Sequence, residues 1–460
     1  MTTTTAGTWT RQVSDFVAGS TSADWPEDTL ELGRRHILDT LASVVVCRDL
    51  ETAEVAWAFA KSLSGGIDGG STILGTHERA SLPDAVFASA MTGHGAEIND
   101  FCPSAFVQPG PPILSTALAI AEQRGATGAA LLRALIAGYE LTCRMPKAVG
   151  IKRGRAVGLS SHGFGPVFGA AATASALLGH SPEQIDHVMS YCAQQASGSM
   201  QWLLDVRHIE KSFVFAGMPA RNGVHAALLV ESGFTGVPET FDQERGWFHG
   251  GMFSEGEDYQ PEYLTDQLGE RFEMPLVAYK RYPVGGPTQP IVEAMLRLSA
   301  KIGPDDVAKI LIEMPGSPQI FAGASMPALN LPYLCAIILT DKKVDFDAAQ
   351  SMERMHTDPV AARLQPLVEA RHDPAQEAEP RIESARVTAT LKDGSEIVEW
   401  VEHVRGFPAF PMTRDDVQAK ATELMEPKLG SGRTREVIDL VWSIDDLPDA
   451  SVLIEAIARD

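Results

Sequence analysis

The hydrophobic pattern of this chain changes period near residue 265, and that change limits the folds open to it. Before it, apolar residues recur at helical spacing. In "EDTLELGRRHILDTLASVVVC" they fall at Leu30, Ile37, Leu38, Leu41, Val44 and Val45, close to a 3.6 period, and residues 27–63 read as two helices. Pro111 and Pro112 open a further helix that stops at Gly125, and Thr127 is the expected N-cap of the next. Ser181, Pro182 and Glu183 start another, and "GMPARNGVHAALLVESG" reads as one more. After the change, "DDVAKILIEMPG" and "ARVTATLKDGSEIVEWVEHVRG" alternate in the manner of strands, and Asp393-Gly394 is a hairpin signal. "PTQPIVEAMLRLSAKIG" and "PVAARLQPLVEARHD" read as helices between them. The last stretch, "TRDDVQAKATELMEPKLG" and "LPDASVLIEAIARD", returns to amphipathic helix. The expected fold is mainly α: a helical domain over 1–268, an inserted smaller α+β domain over 269–408, and helices over 409–460 returning to the first domain.

Length supports more than one core, since 460 residues exceed what a single core normally holds. A net charge of −22 argues against nucleic acid or an anionic membrane surface as the main partner. No stretch of 18 uninterrupted apolar residues is present, so no membrane span is expected. The start, "MTTTTAGTWTRQVSDF", lacks the pattern of a signal peptide. Cys47, Cys102, Cys143, Cys192 and Cys335 are scattered without a C-x-x-C, which disfavours disulfides and zinc and fits a cytoplasmic protein.

P-loop, H-E-x-x-H, G-x-S-x-G and EF-hand patterns are all missing. "GFGPVFG" at 163–169 is spaced wrongly for a dinucleotide loop, and its glycines fit tight helix packing better. "GHGAEINDFCP", residues 93–103, is richer in chemistry. It reads as a metal site through His94, Glu97, Asp100 and Cys102, as a helix cap through Asn99 or Asp100, or as an acid–base loop. Elsewhere, His162, Glu210-Lys211, Lys280-Arg281 and Tyr333 each place a proton carrier or a cation beside glycine, proline or a loop.

Taken in order, these segments resemble the MmgE/PrpD family, which includes dehydratases, decarboxylases and epimerases of small carboxylic acids. The resemblance runs through "RRHILDTLASVVV", "ASAMTGHGAEINDF", "QPGPPILSTALAIAEQRGATGAALLRALIAGYEL", "SHGFGPVFGAAATASALLG", "EKSFVFAGMPARNGVHAALLVESGFTG", "YKRYPVGGPTQPIVEA" and "LPYLCAIIL". It implies a helical domain with an α+β lid, an active site between them, a homodimer, and no metal or organic cofactor. Carried over by position, Asp100 matches the family's Asp-Phe motif and His162 its loop histidine. Lys211, Lys280 and Tyr333 match the family's lysines and tyrosine. These five are the expected catalytic set, with Asp100 preferred over Glu97 in the acidic loop. Glu97, Gln108, Arg281 and Gln289 are expected to bind substrate. Glu97, Gln108 and Gln289 stand where the family carries histidine, and Cys102-Pro103 where it carries two aspartates. The activity implied is that of a cofactor-independent lyase, a hydro-lyase or decarboxylase. The expected reaction is a dehydratase-type elimination from a small hydroxy di- or tricarboxylate, begun by proton abstraction next to a carboxylate. An epimerase of an iminodisuccinate-like acid and a non-catalytic metabolite binder are the alternatives.

Overall fold

A computed structural model describes residues 7–64, 70–377 and 383–459. Up to residue 265 the regular secondary structure of the described chain is helical, apart from a two-residue strand pair, Ser71–Thr72 with Arg79–Ala80. The first two expected helices are Glu27–Cys47 and Glu51–Ser64. Gly110–Arg124 follows, closed by Gly125 in the left-handed conformation that glycine adopts without steric cost. Thr127 caps Gly128–Val149 by accepting from the Ala130 amide, and Ser181 with Gln184 forms a capping box on Pro182–Gln195.

The small residues of "GFGPVFGAAATASALLG" serve packing. The segment is helix from Ser161 to Leu178 rather than a loop leading into a helix. A Cβ at Gly169 would lie 2.4 Å from the Gly138 carbonyl oxygen, and one at Gly223 2.5 Å from the Val167 carbonyl oxygen. Helices 128–149 and 218–231 therefore approach this central helix at backbone distance. Its flanks close a dense core of Phe164, Val167, Phe168, Leu141, Met145 and Val224.

The β-rich part forms one four-stranded sheet in the order Val368–His372, Val307–Met314, Ala385–Leu391, Glu396–Val401. The last two strands are an antiparallel hairpin turning at Asp393-Gly394, where Gly394 takes φ 85°. The first pair is parallel, and its edge strand corrects the sequence reading, which placed 359–373 in a helix. That helix ends at Leu364, a short 3₁₀ turn containing Pro366 follows, and "VEARH" then pairs with Ile310–Met314. Ile310, Ile312, Val387 and Ala389 on this sheet pack with Ile291, Leu298, Leu334 and Ile337 into a core of their own.

The chain then runs back. The helix Arg414–Trp442, kinked at Gly430, shares a core with Glu27–Cys47 through Val417, Ala421 and Met425. Lys420, buried there, donates to Asp39 at 2.6 Å and to the Ile98 carbonyl at 2.7 Å, tying this helix to the acidic loop. Among the described residues no helix is long and apolar enough to cross a membrane.

Candidate active site

The acidic loop leaves the helix Leu82–Gly93 at His94 and is pinned by a short antiparallel bridge. Phe101 and Ala278 exchange backbone hydrogen bonds of 2.9 and 2.7 Å. That bridge brings Lys280, two residues on, against the loop. Lys280 donates to Glu97 Oε2 at 3.2 Å and to Gln108 Oε1 at 3.1 Å. Lys211 ion-pairs with Glu97 Oε1 from the other side, and His208 Nε2 lies 3.0 Å from the same oxygen. All five side chains are buried.

Burial alone would keep Glu97 protonated, but Lys211, Lys280 and the His208 hydrogen bond outweigh it and hold its carboxyl well below the usual carboxylate range. Lys280 is pushed down by burial and by Lys211, against the pull of Glu97. His208 is itself held in the left-handed backbone conformation, φ 62°, an arrangement worth of order 1 kcal/mol or more of strain in a non-glycine residue. Its ring anchors at both nitrogens, to Glu97 and to Ser212 Oγ at 2.9 Å.

His162 stands in the first turn of its helix, and its ring stacks on Phe215 with centroids 3.6 Å apart and planes 8° from parallel. Phe215 belongs to a π-helical stretch, Phe213–Gly217, inserted between the turn carrying Lys211 and the helix Met218–Glu231. Burial, followed by the Lys211 charge, drives the His162 imidazole well below its ordinary range, so it is neutral. Its Nδ1 has no hydrogen-bond partner among the described residues.

These groups meet in a cavity of about 190 Å³ lined by Glu97, Gln108, His162 and Lys211. Phe106, Trp202 and Phe215 wall it on one side, and Met314, Ile320 and Leu329, from the sheet-containing half, on the other. Arg155, exposed at the rim, lies over the Phe106 ring at 4.8 Å.

Glu97, Gln108, His162, Lys211 and Lys280 are thus brought together, and four of the expected residues are not. Asp100, preferred in the sequence reading, is fully buried and committed elsewhere. It accepts from the Gly110 amide at 2.9 Å and the Tyr139 hydroxyl at 2.7 Å, with His36 Nδ1 3.0 Å away. Those bonds fix the start of helix Gly110–Arg124, so Asp100 is a brace and Glu97 is the loop's carboxylate in the cavity. Tyr333 is buried in the sheet-side core, where its hydroxyl donates to the Ala348 carbonyl at 2.7 Å and burial pushes its phenol up to about 12. Arg281 pairs with Glu423 at 3.1 Å away from the cavity. Gln289 ties the 282–284 turn by bonding the Tyr282 amide and carbonyl and the Val284 carbonyl. Glu210, next to Lys211, is occupied by Gln201 at 2.8 Å.

The metal reading of the loop fails on direction. His94 faces Ser212 and stacks on His208, Asp100 turns to Tyr139, and Cys102 lies beside Ser104. Among the described residues no three His, Cys, Asp or Glu side chains group as metal ligands. Sequence reasoning missed His208 and the aromatic wall. His208 sits three residues before Lys211 but just outside its helix, in the left-handed conformation, so helical spacing offered no signal for it.

Two family models match the chain: the MmgE/PrpD N-terminal domain over residues 11–262 and the MmgE/PrpD C-terminal domain over 282–445. The chain belongs to the MmgE/PrpD family. It is 25% identical to the cis-aconitate decarboxylase-like protein oryM of Aspergillus oryzae (strain ATCC 42149 / RIB 40), over 99% of this chain and 98% of that protein. It is 23% identical to a cis-aconitate decarboxylase of Aspergillus terreus (strain NIH 2624 / FGSC A1156), over 97% and 95% of the two chains. The identity to the cis-aconitate decarboxylase of Homo sapiens is also 23%, over 92% and 89%.

Proposed function

We propose that the protein is a cofactor-independent lyase that eliminates water from a small hydroxy acid, beginning with proton abstraction next to a carboxylate. The observation that carries this reading is His162: a buried, neutral imidazole lining the cavity that holds Lys211. A neutral imidazole is a base, and the two lysines are the cations that the developing enolate needs. With Asp100 and Tyr333 engaged elsewhere, His162 serves both proton transfers. It takes the proton from the α carbon; the C–H pair forms the C=C bond; the β C–O bond breaks; and the imidazolium returns the proton to the departing hydroxide as water. The sheet-containing half acts as a lid whose apolar side chains exclude water and strengthen the lysine charges.

Decarboxylation is the second reading, favoured by the names of the relatives and by the apolar wall, which desolvates a carboxylate and releases neutral CO₂. Homodimerisation is carried with the proposal, and light scattering in solution tests it.

Incubation with citrate, malate, iminodisuccinate and 3-hydroxy acids in deuterium oxide, followed by NMR, separates the reactions. Alkene formation with loss of water is the expected result. Loss of CO₂ moves the assignment to decarboxylase, deuterium exchange with inversion to epimerase, and inertness toward every acid to a binding protein. His162→Gln is expected to lower the rate by on the order of 10²–10⁴ with the fold retained. A fully active variant would remove His162 from the mechanism.

A further inference from the structure

The charges around the cavity do not balance a polycarboxylate. Lys211 and Lys280 are the buried cations there, and both already contact one carboxylate, Glu97, one at each oxygen. Counted as ionised groups, two lysines and one glutamate leave a single positive charge. The remaining polar groups beside them are uncharged: Gln108 is an amide, and His162 and His208 are held neutral by burial. Away from this cluster the interior surface is mainly Phe106, Trp202, Phe215, Met314 and Leu329, with Ile320 and the Ser317 hydroxyl exposed at its edge, and no further buried cation is among the lining residues to meet a second carboxylate. Arg155 is exposed at the rim, where water screens it.

We propose that Glu97 sets the substrate class: an acid with one carboxylate at the lysine end and an apolar body along the aromatic wall. This rests on the reading of the cavity as the substrate site. In that setting a 3-hydroxy acid carrying an aryl or branched alkyl group fits both ends. The carboxylate replaces part of the Lys211–Lys280 contact with Glu97, and the apolar group covers Trp202 and Leu329. A tricarboxylate of similar size would bury two further charges against hydrocarbon.

Two unreactive acids of similar size, 3-phenylpropionate and tricarballylate, test this by isothermal titration calorimetry on the full chain. The wild-type protein is expected to bind 3-phenylpropionate more tightly by on the order of tenfold or more, about 1.4 kcal/mol. Lys211→Met is expected to lose that binding. Glu97→Gln, which adds one net positive charge, is expected to shift the ratio toward tricarballylate by a similar factor. Tighter wild-type binding of tricarballylate overturns the charge argument and leaves the site assignment standing. Failure of both acids to bind, or indifference to Lys211→Met, overturns the site assignment and this inference with it. If Glu97→Gln does not fold, the wild-type preference and the Lys211→Met result decide the matter.

Discussion

At the scale of single residues, it is hydrogen-bond partners, not burial, that separate the polar groups facing the cavity from those holding the frame. Asp100 and Glu97 are three positions apart, and both are buried. Asp100 has its oxygens filled by an amide and a phenol, whereas Glu97 faces cations on a cavity wall. Asp100→Ala is therefore expected to destabilise the fold by on the order of 3 kcal/mol, by stranding two buried donors, as read from denaturant unfolding. Lys211→Met, by contrast, is expected to abolish turnover at smaller cost to the fold. Neither outcome was legible in sequence, where Asp100 matched a motif and Glu97 departed from one. Lys211, Lys280 and His162 were legible as cavity residues because each stands beside glycine, proline or a loop, at a position the family resemblance marks. Phe106, Trp202 and Phe215 were not, because an aromatic lining a cavity has the same sequence signature as one in a core. Three of the buried histidines, His94, His162 and His208, sit below the ordinary range, with burial the leading cause. For such groups the unfolded chain binds protons first. Their contribution is fully present above the unfolded value near 6.5 and is lost as pH falls below it, by up to about 1.4 kcal/mol per pH unit for each. Denaturant midpoints should drop between pH 7 and pH 5, and a flat profile would contradict the neutral assignment. Catalysis follows the opposite limb: kcat/KM should stay level as pH falls through 6.5, because His162 remains a free base there.

At the scale of elements, contact distance between helices explains what composition only suggested. The glycines at 163–169 had two sequence readings, and the distance of 2.4 Å from an added Cβ at Gly169 to the Gly138 oxygen supports packing over phosphate binding. Gly169→Ala is expected to cost about 1–3 kcal/mol by forcing two helices apart. Gly432→Ala, where an added Cβ meets nothing within 4 Å, should be neutral or slightly stabilising. Thermal unfolding of the pair checks this, and equal shifts would refute the packing argument. The helix starts were readable because capping is local chemistry, as at Thr127 and Ser181. The edge strand 368–372 was not, because its pairing with Ile310–Met314 lies nearly sixty residues away and its polar side chains carry no strong period.

At the scale of the whole molecule, a net charge of −22 surrounds a cavity whose buried cluster carries about one positive charge. These act over different distances. The lysines are enclosed and attract an anion that has already entered; the surface carboxylates repel it during approach. At low salt the surface field reaches well beyond a side chain's length, about 30 Å at 0.01 M, and at 0.15 M it is cut to about 8 Å. The buried pairs are screened far less. Raising ionic strength should therefore increase kcat/KM for an anionic substrate while leaving kcat nearly unchanged, the reverse of an enzyme that steers its substrate by surface charge. Steady-state kinetics between those two salt concentrations measures it. A fall in kcat/KM would mean that the exposed Arg155 at the rim governs entry, and Arg155→Gln would then remove the salt dependence.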